Sequence, residues 1–282
     1  MRKRNVLSSP RLAELKNRRR RAIFSKILIS GAGILAVFFL LSYLSRLDNL
    51  NIREVRVTGN EIVETEAIRE EIESRIAGEL LWLFPKTNVL YYPKNAIKSG
   101  LRDKFKRLKD VNFSIQDREV LEVTVSERVP KYTWCGSTPT SEECYFLDEE
   151  GYIFDGAPYF SGEVYFKFYG QPDGDEPLGT YFLKQNFRQL VWFKDFMIEL
   201  GLKPAALYAT GEGDMEIFLS RGGAPAAEPK ILLKADADFQ NAAENLKTAL
   251  NTEPLKSEFK NKYSSLQYID LRFGDNKVYY KF

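Results

Sequence analysis

The chain contains no histidine among its 282 residues. That absence removes Ser-His-Asp and Cys-His nucleophilic catalysis and every histidine-ligated metal centre. Only two cysteines occur, Cys135 and Cys144, and no carboxylate cluster accompanies them to complete a zinc shell. A P-loop and a GxGxxG fingerprint are also missing, and Gly211-Glu-Gly213 reads as a hairpin turn. Carboxylate pairs or a Ser-Lys dyad remain conceivable. However, Asp173-Gly-Asp175-Glu176 lies in a Gly/Pro loop, which does not enforce the fixed separation and raised pKa that catalytic carboxylates need. Asp148, Glu149, Glu150 and Asp155 lack the DxDxDG spacing of a calcium loop and read as solvated turn carboxylates. The composition therefore predicts a non-enzyme, with no catalytic residue, cofactor, metal site or small-molecule substrate.

Charge is missing from one further place. Ile27 to Ser45 is nineteen residues without a charged side chain, bounded by Lys26 and Arg46. As a helix this stretch spans about 28 Å, close to the ~30 Å hydrocarbon core of a bilayer. A lone apolar segment in lipid must be helical, because nothing around it can hydrogen-bond the backbone. A buried core helix is the rival reading, and so long a run without a polar face argues against it. A cleaved signal peptide would have a shorter apolar core and a small-x-small cleavage site, which SRLDNL does not offer. The reading is an uncleaved single transmembrane helix over residues 26–46.

What is abundant, on one side of that helix, is positive charge. Residues up to Lys26 carry a balance of +9, against +2 for the whole chain, which leaves −7 beyond. Positive flanks stay in the cytoplasm. The expected topology is a single-pass type II membrane protein, with a basic, disordered cytoplasmic tail over 1–25 and everything after the anchor outside. Topology accounts for the basic charge, so no nucleic-acid partner is expected. In the anchor, Ala32 and Ala36 form a small-xxx-small face open to helix packing.

The part beyond the anchor is large enough for one large or two small domains. Ile52 to Val57 alternates as a half-buried strand and ends at a Thr58-Gly59-Asn60 turn. Thr65 can cap a helix bearing Ile68, Ile72 and Ile76. After the LLWLF run and Pro85, a second helix from Pro93 carries Ile97, Leu101, Phe105 and Leu108. Strands over 111–115 and 121–125 follow, joined by a turn at 116–119. The order strand, helix, helix, strand, strand fits a three-stranded sheet covered on one face by two helices.

From 131 onward strands dominate. Cys144–Leu147 and Tyr152–Phe154 flank a Gly151 turn, Phe187–Leu200 reads as a helix, and 216–219 pairs with 230–233 around a Gly/Pro/Ala loop. A helix over 237–250 precedes a final hairpin, Tyr268–Phe273 and Lys277–Phe282, turning at Gly274-Asp275-Asn276. Cys135 and Cys144 lie in the exported region, where a disulfide can form and persist, with free thiols as the alternative.

The first unit, with VxVxGN closing its first strand (Val55, Val57, Gly59, Asn60) and VxERVP its last (Val125, Glu127, Arg128, Pro130), resembles a POTRA domain. Placed directly after one anchor, and followed by an LDxxGxxF hairpin from Leu147 and a YIDLRF segment from Tyr268, it resembles the bacterial FtsQ/DivIB cell-division family. The CG…C insertion after Trp134 and the 223–229 loop depart from that pattern. The resemblance implies an α+β fold: a transmembrane helix, a POTRA domain (β-α-α-β-β) over 50–128, and a mainly antiparallel β-domain with flanking helices over 129–282. It implies a non-catalytic divisome scaffold at the septum, holding the bitopic FtsB/DivIC-like and FtsL-like division proteins. In that family the final hairpin is the partner site, which carries over to Arg272, Phe273, Gly274, Val278 and Tyr280. Physically, the last strand can be a free sheet edge that accepts an added strand. The rival readings are a POTRA-type transport or secretion scaffold and a membrane-anchored cell-wall hydrolase.

Overall fold

In the computed structural model one long helix, α1 (Pro10–Ser45), opens the described part of the chain. The structure describes residues 10–160, 164–220, 228–274 and 277–282. The fold is α+β and divides into two units, Met1–Leu101 with Val111–Val125, and Arg102–Asp110 with Ser126–Phe282. The apolar part of α1 is long enough to cross a membrane, and side chains such as Ile29 and Ile34 stand exposed on it. The helix begins well before the apolar stretch, so residues 10–25 are helical where composition predicts a disordered tail. Arg, Lys, Leu and Ala are good helix formers, and a nucleated helix elongates at one hydrogen bond per added residue. Residues 1–9 of that tail lie outside the described residues.

After α1 the first unit continues with β1 (Glu54–Thr58), α2 (Thr65–Ile76), a small hairpin of β2 (Glu79–Leu80) and β3 (Phe84–Pro85), and α3 (Lys94–Lys104). Strands β4 (Leu108–Gln116) and β5 (Val120–Glu127) follow, and the three-stranded sheet runs β1-β5-β4. β1 and β5 are parallel, with Val55 opposite Leu121 and Val57 opposite Val123. The predicted helical stripes are buried: Ile68, Ile72 and Ile76 from α2, Ile97 and Leu101 from α3. The β4–β5 turn places Asp117 and Arg118 at φ 49° and 64°, as a tight primed hairpin turn requires.

Two details differ from the pattern-based reading. Thr65 does not cap α2; Glu64 holds the N-cap position, and Thr65 Oγ1 accepts from Asn60 Nδ2 at 2.9 Å. Phe105 and Leu108 are not on α3. The helix ends at Lys104, and a turn closed by Leu108 N–H to Phe105 O at 3.0 Å puts Leu108 at the head of β4.

The second unit holds β6 (Tyr132–Trp134), β7 (Cys144–Leu147), β8 (Ile153–Ala157), β9 (Lys167–Tyr169), α4 (Phe187–Glu199), β10 (Pro204–Ala209) and β11 (Asp214–Leu219). Then come β12 (Lys230–Lys234), α5 (Phe239–Asn251), α6 (Leu255–Lys262), β13 (Tyr268–Asp270) and β14 (Tyr279–Lys281). They build a nine-stranded sheet in the order β14-β13-β12-β11-β10-β9-β6-β7-β8. The sheet is largely antiparallel, with parallel pairings at β9–β10, β6–β9 and β12–β13. One hydrophobic core joins the sheet to the helices through Phe168, Phe187, Phe193, Ile217, Ile231 and Leu246. The turn between β10 and β11 uses Gly213 at φ 83°, as its sequence suggests. Cys135 and Cys144 are joined in a disulfide, and both are buried. The predicted loop over 223–229 falls mostly in 221–227, outside the described residues.

Candidate functional site

β14 is the outermost strand of the large sheet, paired on one side with β13. Tyr268 stands opposite Lys281, Ile269 opposite Tyr280, and Asp270 opposite Tyr279. Alternation along a strand sends successive side chains to opposite faces. On one face Val278, Tyr280 and Phe282 are partly buried against the core, and the Tyr280 and Phe282 rings lie 5.7 Å apart. On the other face Tyr279 is 53% and Phe273 57% exposed, and their rings meet edge to face at 4.9 Å. Val278 and Tyr280 also line a groove of about 440 Å³ along α5 and α6, with Thr248, Ala249, Thr252 and Leu255.

A chain added to this edge would therefore place alternate side chains against two different surfaces, a mixed groove and an exposed aromatic pair. Of the aromatics expected to anchor a partner, Phe273 lies on the exposed face and Tyr280 on the core-facing one. Tyr279 is the aromatic that sequence reasoning passed over. Only the parity of the strand separates it from Tyr280, and a turn of uncertain length hides that parity.

Arg272 is engaged within the molecule. Its Nε and Nη2 donate to the two carboxylate oxygens of Asp270 at 2.9 and 2.6 Å, and Nη1 donates to Asp214 Oδ2 at 2.6 Å. Hydrogen bonds to Asp270 and Asp214 push the guanidinium further above its already high range. Lys234, bonded to Asp214 at 2.8 Å, and then Arg272 hold the Asp214 carboxyl below the usual carboxylate range. The guanidinium thus ties the end of β13 to the start of β11, and Lys234 links Asp214 to the end of β12. Gly274, at φ 57°, accepts Lys277 N–H at 3.0 Å and closes the turn; Asp275 and Asn276 lie outside the described residues.

In the acidic turn after β7, Glu149, Glu150 and Asp155 keep solvent exposure as expected, whereas Asp148 does not. Asp148 is fully buried and ion-paired with Arg128. It also accepts the N–H groups of Glu150 and Tyr152 at 2.8 and 3.0 Å. Asp155 pairs with Arg107 at 2.6 Å, Glu149 with Lys109, and Glu150 with Arg188. The Lys109 hydrogen bond holds Glu149 below its ordinary range. Spacing hides the burial of Asp148, because its partner Arg128 comes from a distant part of the chain.

No group of three or more His, Cys, Asp or Glu side chains suited to a metal ion occurs among the described residues. A Ser-x-x-Lys spacing does occur in α6, at Ser257 and Lys260, where Ser257 Oγ donates to Pro254 O at 3.0 Å. No protein-family model matches the chain, and no curated protein matches it.

Proposed function

We propose that this chain is a non-catalytic, membrane-anchored scaffold of the bacterial division machinery, of the FtsQ/DivIB kind. On this reading α1 spans the cytoplasmic membrane with its basic end inside, the β-α-α-β-β unit is a POTRA domain, and the large sheet receives partners. The observation that carries it is the exposed edge of the last strand, following in order an apolar helix, a β-α-α-β-β unit and a sheet domain. Gly59 and Asn60 support the POTRA assignment. A Cβ on Gly59, at φ 86°, would lie 2.2 Å from Val125 O, and Asn60 Nδ2 donates to Val63 O at 2.7 Å. The VxVxGN motif therefore has a local structural reason, because only glycine fits where β1 leaves β5. The partners are FtsB/DivIC-like and FtsL-like bitopic proteins, one of which adds a strand to β14.

A fluorescent fusion at the amino end tests the reading. A band at the division site of growing cells is the expected result. Uniform membrane fluorescence in dividing cells would remove the division role and leave an envelope-transport scaffold in its place.

A further inference from the structure

The far end of α1 is tied into its unit at a fixed height. Asn88 Nδ2 and Asn51 Nδ2 each donate to Ser45 O at 3.0 Å, and Asn51 Nδ2 also donates to Leu47 O at 2.8 Å. Helix ends leave carbonyls without intrahelical donors, and these amides satisfy them. The β2–β3 hairpin then runs back along the helix. Glu79 at its base pairs with Arg46 at 2.8 Å, and Ser42 Oγ donates to Leu83 O at 2.8 Å. Phe84 meets Phe38 edge to face, with ring centroids 5.2 Å apart. Phe38 lies inside the charge-free stretch, about 10 Å along the helix axis from Ser45. The hairpin reaches a level at which α1 itself would face lipid.

Its tip is built for apolar surroundings. Leu81 and Trp82 hold left-handed backbone at φ 52° and 59°, positions that Asn and Gly fill without strain. A large side chain there comes at a cost in backbone strain. Protein packing does not offset that cost, since Trp82 is 89% and Leu81 69% exposed. Leu80 and Leu90 extend the exposed patch, and Tyr91 flanks it with its ring 6.3 Å from that of Phe84. The stem of the hairpin is paired internally: Leu80 pairs with Phe84, Leu83 N–H donates to Leu80 O, and Ser42 Oγ donates to Leu83 O. Arg46 and Glu79 form a charged pair at the base, where head groups would lie.

We propose that the Leu80–Phe84 hairpin, with Leu90 and Tyr91, is a lipid-contacting foot that inserts beside α1 into the outer leaflet. Tryptophan and leucine are favoured at that depth, and the foot holds the first unit against the membrane. This rests on reading α1 as the anchor.

The test uses the full chain in phosphatidylcholine vesicles brominated near the carbonyl end of the acyl chains. The chain has three tryptophans, so the difference between the parent protein and Trp82→Phe isolates the Trp82 emission. Phe39→Trp in the Trp82→Phe background reports on the helix itself. Loss of Trp82 emission in the brominated vesicles, with protection from aqueous iodide, is expected. If Phe39→Trp is quenched by bromine while Trp82 is quenched only by iodide, the foot is wrong and the anchor stands. If neither tryptophan responds to bromine, the anchor reading fails and the foot with it.

Discussion

Asp148 is enclosed beneath Arg128, whose guanidinium lies 4.0 Å over the ring of Tyr152. The pair joins the arginine of the ERVP segment to the aspartate of the LDxxG turn. Breaking a buried ion pair from one side leaves an uncompensated charge, at a cost of about 3–5 kcal/mol. Asp148→Ala and Arg128→Ala are each expected to destabilise the second unit by that amount in urea unfolding. Replacing both by apolar residues of similar volume should recover most of the loss. If the single variants unfold at the parent midpoint, the pair carries no structural role.

Gly59 is expected to tolerate no side chain. A left-handed alanine costs about 1–2 kcal/mol, and the contact with Val125 O adds to it. Gly59→Ala should lower the stability of the first unit by more than the same change at Gly78. Gly78 also has positive φ, at 84°, but open space around its Cβ position. Comparing the two thermal midpoints separates the clash from the backbone term; equal losses would remove the clash.

The Asp214–Arg272 contact predicts an acid-sensitive step. Asp214 is depressed in the folded protein by Lys234 and Arg272, so the unfolded chain binds its proton more readily as pH falls. The contribution is therefore fully present above the ordinary carboxylate range, beyond about pH 5, and is lost as the medium is acidified below about pH 4. Asp214→Asn should be less stable than the parent at pH 7, and the difference should shrink toward zero in acid. A gap that widens on acidification would contradict the assignment.

The Cys135–Cys144 bridge closes a loop of sequence separation 9. Constraining so short a loop in the unfolded chain is worth about 2–3 kcal/mol. Reduction, or Cys135→Ser with Cys144→Ser, should lower the unfolding midpoint of the second unit accordingly, read by denaturation with and without reductant.

Local signals were legible where burial follows a period. The isoleucines of α2, the alternation of β5 and the glycine turns at Gly151 and Gly213 all fall where the pattern puts them. What the pattern hides is non-local. β9 is short, fully buried and without alternation, and it lies between β6 and β10, which are distant from each other in sequence. Leu255–Lys262 is a helix that carries a single fully buried apolar residue near its start, Leu255. Arg272 looked like a surface contact because Asp214 lies far away in sequence. The structure places β14 at the edge of the large sheet, paired with β13, the position that strand addition needs.

That edge yields the prediction on which the functional reading depends. Phe273 and Tyr279 are exposed and touch each other, whereas Tyr280 packs toward the core. Phe273→Asp and Tyr279→Asp should abolish co-purification of an FtsB/DivIC-like partner while leaving the melting temperature near that of the parent, since exposed substitutions cost within about 0.5 kcal/mol. Tyr280→Asp should lose both binding and stability, because it places a charge beside the core. Removing Lys277–Phe282 should abolish binding while β1 to β5 stay folded. If the Phe273 and Tyr279 variants retain the partner at parental yield, the exposed face is not where it docks. If the truncated chain also retains it, strand addition at β14 is ruled out and the scaffold must use another surface.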